Sequence, residues 1–105
     1  MDLRARLEAM LAAGTDTAEL RFALGSQCAS AGDDGQAIEH LRVAVALKPD
    51  YSAAWKLLGK LLGAAGDDAA ASAAYRAGIA AAERRGDMQA VREMKVFLAR
   101  LEKNR

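Results

Sequence analysis

Shifted by 34 residues, much of this chain falls back on itself. Leu58-Gly59 lands on Leu24-Gly25, Gly66-Asp67-Asp68 on Gly32-Asp33-Asp34, Ala71 on Ala37 and Arg76 on Arg42. Tyr75 lands on Leu41, and Ile79 on Val45. A period of this length marks an array of helix pairs, in which each unit buries its apolar face only by stacking on a neighbour. The chain has no sustained apolar–polar alternation and few β-branched residues, so strands are not expected. The fold class that follows is all-α.

Punctuation divides the array into about six helices. Asp33 and Asp67 each follow a glycine and can cap the next helix by accepting hydrogen bonds from its free N–H groups. Asp16 or Thr17 can do the same near Ala18, and Asp87 for the last helix. Pro49 has no N–H to continue a helix and stops the one before it. The pattern predicts helices over 2–13, 18–31, 35–48, 52–65, 69–84 and 87–103. Two full repeats then span 18–51 and 52–85. The period run backwards sets Leu3, Leu7, Met10 and Leu11 under Ala37, Leu41, Ala44 and Val45, so residues 1–17 read as a half-repeat capping helix. Run forwards it fails, because Gln89, Arg92 and Glu93 would stand for Trp55, Leu58 and Gly59. Residues 86–105 still carry an apolar stripe of Met88, Val91, Met94, Leu98 and Leu101, widened by Phe97, with charge on the other face. That pattern suits a solvating cap.

At 105 residues, with 52% hydrophobic but only 5% aromatic content, the chain makes one domain whose core is mostly Ala, Leu, Val and Met. A net charge of +1 gives no overall attraction to nucleic acid or an anionic membrane. Charge is uneven all the same: residues 84–105 hold seven bases against three acids. Cys28 is the single cysteine, which excludes an intramolecular disulfide and points to a reducing compartment. No apolar run approaches a membrane span, and Met1-Asp2-Leu3-Arg4 does not open a signal peptide. The expected location is cytoplasmic.

The pattern Trp55-x2-Leu58-Gly59, then Ala71 and an aromatic at Tyr75, resembles the tetratricopeptide repeat (TPR) family. The two copies agree at nine aligned positions, namely Leu24, Gly25, Ala31, Gly32, Asp33, Asp34, Ala37, Arg42 and Ala46 with their partners. The chain also resembles small free-standing bacterial proteins of this layout. Departures exist: Arg21 stands for the Trp of the first repeat, Cys28 and Leu62 for an aromatic, and Gly78 and Glu83 for the usual Ala and Pro. The resemblance implies a TPR-type superhelix in which Gly25 and Gly59 mark the tightest approach within each pair. Ala37 and Ala71 would be the small residues opposite. Trp55, Leu58, Leu62 and Tyr75 would lie on buried faces, with Trp55 in the core.

The same resemblance implies a concave groove lined by the first helix of each pair. It would take Glu19, Phe22, Ser26 and Ala29 from the first repeat, and Ala53, Lys56, Lys60 and Gly63 from the second. Lys56 and Lys60 sit one turn apart, and pairing with an acidic ligand would relieve their repulsion. The Lys and Asn pattern of TPR proteins that grip a chain-terminal carboxylate is missing. Catalysis, metal binding and a cofactor are not expected. His40 is the only histidine and should face outward, Cys28 reads as a small buried hydrophobe, and every glycine is a turn or packing site. The function expected is a non-catalytic module that binds a protein or peptide, an acidic one fitting the lysines. Nucleic acid and membrane are not expected partners. The alternative is a structural role, through a homodimer or a larger complex.

Overall fold

The structure, a computed structural model, describes residues 2–103. Arg105, counted in the basic tail above, lies outside the described residues. Six α-helices follow in order: α1 (Leu3–Ala12), α2 (Ala18–Ser30), α3 (Asp34–Leu47), α4 (Ser52–Ala64), α5 (Asp68–Arg85) and α6 (Met88–Lys103). No strand occurs among the described residues. α2 pairs with α3 and α4 with α5, α3 lies against α4, α1 packs on α2, and α6 covers α5 and the edge of α4. The first helices α2 and α4, and then α4 and α6, also meet directly, so they form one layer of a molecule measuring 42 × 29 × 19 Å.

The repeated Gly-Asp-Asp explains how each pair turns. Gly32 and Gly66 take φ of 82° and 85°, a left-handed conformation that costs glycine little. That turn aims the Asp33 and Asp67 N–H groups back at the carbonyls of Cys28 and Leu62, at 2.8 and 3.0 Å. The Asp67 side chain then caps α5 by accepting from the Ala70 N–H, and Asp87 accepts from Ala90 ahead of α6. Thr17, not Asp16, caps α2 through the Leu20 N–H. Asp33 departs from expectation. Its carboxylate makes no cap bond and instead accepts from Arg4 of α1 at 2.6 Å, while Arg4 also donates to Gln36. The end helix is thus tied to the first repeat turn by charge, where the second turn has an ordinary cap.

The core runs in one body from Cys28 through Leu41, Leu58 and Leu62 to Ala74, with smaller clusters joining α1 to α2 (Leu7, Leu20, Leu24) and α5 to α6 (Tyr75, Val91, Met94). Two expectations about it need correction. Gly59 is met most closely by Tyr75 and not by Ala71, whereas Gly25 meets both Leu41 and the Ala37 backbone. A Cβ on Gly59 would lie 2.6 Å from a ring carbon of Tyr75, and one on Gly25 2.8 Å from Leu41, so each glycine receives a large side chain four residues beyond the small one. Ala71 lies opposite Gly63, where a Cβ would sit at an ordinary 3.8 Å. Trp55 is half-buried and not a core residue; its indole N–H reaches out to the Pro49 carbonyl at 2.8 Å. Of the α6 stripe, Val91 and Met94 are buried and Leu98 and Leu101 half-buried, but Met88, the first residue of the helix, is 51% exposed.

Gly78 turns from a departure into a junction. A Cβ there would lie 2.8 Å from Trp55 Cβ and 2.5 Å from Met94 Sδ. The missing methyl is what lets α4, α5 and α6 converge.

Alanine at Gly59 gains helix propensity of about 1 kcal/mol but overpacks against Tyr75 by about 1–3 kcal/mol, so net destabilisation is expected. Alanine at Gly63 meets no clash and should be neutral or stabilising by up to about 1 kcal/mol. Urea midpoints of the two variants should move in opposite senses or differ clearly; equal shifts would refute this reading of the α4–α5 contact. Ser72 offers a second test, since its buried hydroxyl has no hydrogen-bond partner. Ser72→Ala should stabilise by about 1 kcal/mol, read as a raised melting temperature.

Candidate binding face

The face made by α2, α4 and the start of α6 takes its shape from the turns that precede each first helix. Arg21 of α2 donates through Nε and Nη2 to both Asp16 oxygens at 2.7 and 3.0 Å, and Trp55 of α4 donates to Pro49. The arginine that replaces tryptophan in the first pair therefore does the same job, tying the helix back to its own entry loop. Arg21 also donates to His40 Nδ1 at 3.0 Å. That bond requires a neutral imidazole, and it corrects the expected outward histidine: His40 is half-buried against the Arg21 guanidinium. Burial first, then Arg21, push its pKa below the ordinary value, with Glu39 and Glu8 opposing.

From α2, Glu19 is exposed and accepts from Lys48 at 3.4 Å. Its own backbone N–H, followed by Lys48, holds the carboxyl below its ordinary range. Phe22 is half-buried, and its ring meets Tyr51 at 5.1 Å with a 42° tilt; Lys48 lies 4.9 Å above the same Tyr51 ring. Phe22 is thus covered by the loop before α4. Ser26 and Ala29 are half-buried, and Ala29 packs on the core.

From α4, Ala53 is exposed. Lys56 and Lys60 do not act as two open ammonium groups. Lys56 is half-buried and pairs with Glu93 of α6 at 3.3 Å, whereas Lys60 is exposed and stands 6.0 Å from the centre of the Phe97 ring. Gly63 lies where α4 meets Ala71 and Leu101, so it belongs to the contact with α5 and α6. Ala53 and Lys56, with Ser52, line a cleft of about 250 Å³ whose far wall is Asp87, Gln89, Ala90 and Glu93.

The α6 wall and the Lys48–Tyr51 pair were not among the residues read from sequence. The failed forward period presented α6 as a cap alone, yet caps and first helices share the same inner layer. Lys48 and Tyr51 lie on the linker, where helical spacing says nothing. Cys28 is fully buried, and burial pushes its thiol pKa up, which leaves little thiolate for reaction. Among the described residues no cluster of three His, Cys, Asp or Glu side chains could hold a metal, and no helix is long and apolar enough to cross a membrane.

Comparison with known proteins fits this geometry. A tetratricopeptide repeat profile matches residues 18–61. A TPR repeat-containing protein of Pseudomonas aeruginosa is 52% identical over 99 residues, covering 94% of each chain. The chain belongs to the tetratricopeptide repeat family. A protein of Bordetella parapertussis solved in solution is 49% identical, with a TM-score of 0.82 over 99% of this chain and 90% of that one. A tetratricopeptide repeat domain protein of Salinibacter ruber, 23% identical, shares the fold at a TM-score of 0.79, covering 84% of this chain and 98% of its own. TPR repeats in general mediate protein–protein interaction, and the family is generally non-catalytic.

The Arg21–His40 contact gives this TPR chain a testable pH response. With the folded imidazole pKa depressed, the unfolded state binds more protons once the pH drops below the ordinary histidine value of about 6.5. The contribution of His40 is complete above that value and is lost as pH falls through the depressed one. The melting temperature should therefore decline from about pH 7 to about pH 5. His40→Gln, which can still accept from Arg21 but does not titrate, should flatten that slope. An unchanged slope would assign the sensitivity to other groups.

Proposed function

We propose that the chain is a non-catalytic interaction module that receives an extended peptide or a partner helix across the inner face of α2, α4 and α6. The cleft between α4 and α6 carries the proposal. It places Ala53 and Lys56 opposite a polar wall, with backbone and mixed charges able to fix an extended chain while the helices behind it stay rigid. Within this reading Lys60 is the open cation, and an acidic ligand residue pairs with it. A ligand acid reaching Lys56 has to displace Glu93 first. The apolar part of the ligand meets the Phe22–Tyr51 pair.

The test begins with peptides selected from a random display library, whose amide chemical-shift perturbations are then mapped. Shifts should gather on α2, α4 and the first turns of α6. Ala53→Arg, at an exposed position, should fill the cleft and weaken binding by about tenfold or more, equivalent to about 1.4 kcal/mol, with the melting temperature almost unchanged. Shifts confined to the outer faces of α3 and α5, or equal binding by Ala53→Arg, would overturn the assignment.

A further inference from the structure

Where α2 meets the entry of α4, the Phe22 and Tyr51 rings close the corner at 5.1 Å. The 34-residue register puts Lys56 of α4 and Arg85 at the end of α5 in the matching places, so the entry of α6 has no such pair. No aromatic side chain belongs to the lining there, and the corner is occupied by the cleft of about 250 Å³.

The charged groups of that lining are Asp87 and Glu93 against Lys56, an excess of acid. The lysine is already engaged, since its ammonium donates to Glu93 Oε2 at 3.3 Å. Each carboxylate still keeps an oxygen with no partner among the described residues. Asp87 spends Oδ1 on the Ala90 N–H at the start of α6, which leaves Oδ2, and Glu93 keeps Oε1. The α4 wall adds a hydroxyl. Ser52 lines the cleft and is only 8% exposed, and its Oγ makes no hydrogen bond among the described residues. A hydroxyl so nearly buried ordinarily has a partner, and the cleft is the side from which one can reach it.

An acid and a base fare differently on entering. A ligand carboxylate meets two others and has to displace Glu93 before it gains a cation. A ligand cation displaces nothing, because the free oxygens are acceptors already in place.

We propose that this cleft receives the guanidinium of a ligand arginine, which donates to Asp87 Oδ2, Glu93 Oε1 and the Ser52 hydroxyl. Guanidinium suits such a set because it is planar and spreads five N–H donors over several directions, where a lysine offers a compact point charge. The inference rests on the reading that a peptide crosses the inner face, and it names one residue of that peptide. With Lys60 taking an acid one turn further along α4, the ligand carries both signs. Lys56 then opposes the arriving cation and moderates affinity, the reverse of the part its charge suggested.

NMR titration of the isotope-labelled full chain tests this with three probes: N-acetylarginine amide, its neutral citrulline counterpart and N-acetylglutamate amide. At millimolar concentration the arginine compound should move the amides of Ala53, Lys56, Ala90 and Glu93 saturably, and the other two should not. Asp87→Asn combined with Glu93→Gln should weaken arginine binding by about tenfold or more. Asparagine still caps α6 and glutamine still accepts from Lys56, so circular dichroism should show the fold kept. Lys56→Met, which retains the apolar stem, should tighten arginine binding, and added salt should loosen it. Equal binding of the citrulline compound overturns the proposal, as do saturable shifts from the glutamate compound, no shift from the arginine one, or weaker arginine binding by Lys56→Met. Library peptides that map to the inner face while the arginine compound moves nothing overturn this inference alone. Library peptides that map to the outer faces of α3 and α5 overturn the reading beneath it.

Discussion

The structure rests on two close approaches, Gly25 over Leu41 and Gly59 over Tyr75. At each, one helix gives up its side chain so that a large one from its partner can lie against bare backbone. The distance between the paired helices is set there, and with it the angle at which the next pair must stack. Small residues at Ala37, Ala44, Ala71 and Ala74 then allow close packing along the rest of each contact. A core this poor in aromatics buries less area per side chain, so close packing of backbone and methyl groups has to supply the cohesion. Gly78 extends the same device to a third helix by admitting Met94 beside Trp55.

Orientation of the inner face depends on a second set of ties, made by polar atoms at the helix entries. Arg21 to Asp16 and Trp55 to Pro49 are chemically unlike, yet both hold the first turn of a first helix against the loop that delivers it. At the N-terminal end Arg4 performs a related task between α1 and the turn at Asp33. These are half-exposed contacts, so their net contribution to stability is modest. Their effect is on direction, because they decide which residues of α2 and α4 point inward.

Charge on that face is largely neutralised within the molecule. Lys56 meets Glu93, Glu19 meets Lys48, and Lys60 stands near the Phe97 ring. A ligand therefore exchanges partners with existing pairs more than it satisfies bare charges, which favours selectivity over raw attraction. On α6 itself, Arg92, Lys95, Arg100 and Lys103 are exposed and have no ion-pair partner among the described residues.

The 34-residue echo, with Gly and Asp at the turns, determined the helix order, the family and nearly every helix end, because turn chemistry and helical period are local properties. It also located the buried glycines, since a glycine inside a helix at a repeated position needs a packing reason. What it could not decide was the partner of each glycine. Tyr75 and Ala71 lie on one face of α5, and only the crossing angle of two helices selects between them. Register placed Trp55 on a buried face, but how far the ring reaches depends on the Pro49 carbonyl in its entry loop and on Gly78 of the next helix. The lysine pair looked open for the same reason: Glu93 lies 37 residues beyond Lys56, on a helix whose period does not match. Periodicity reports which residues share a face. The neighbour that covers that face belongs to another element, and only packing in three dimensions brings it there.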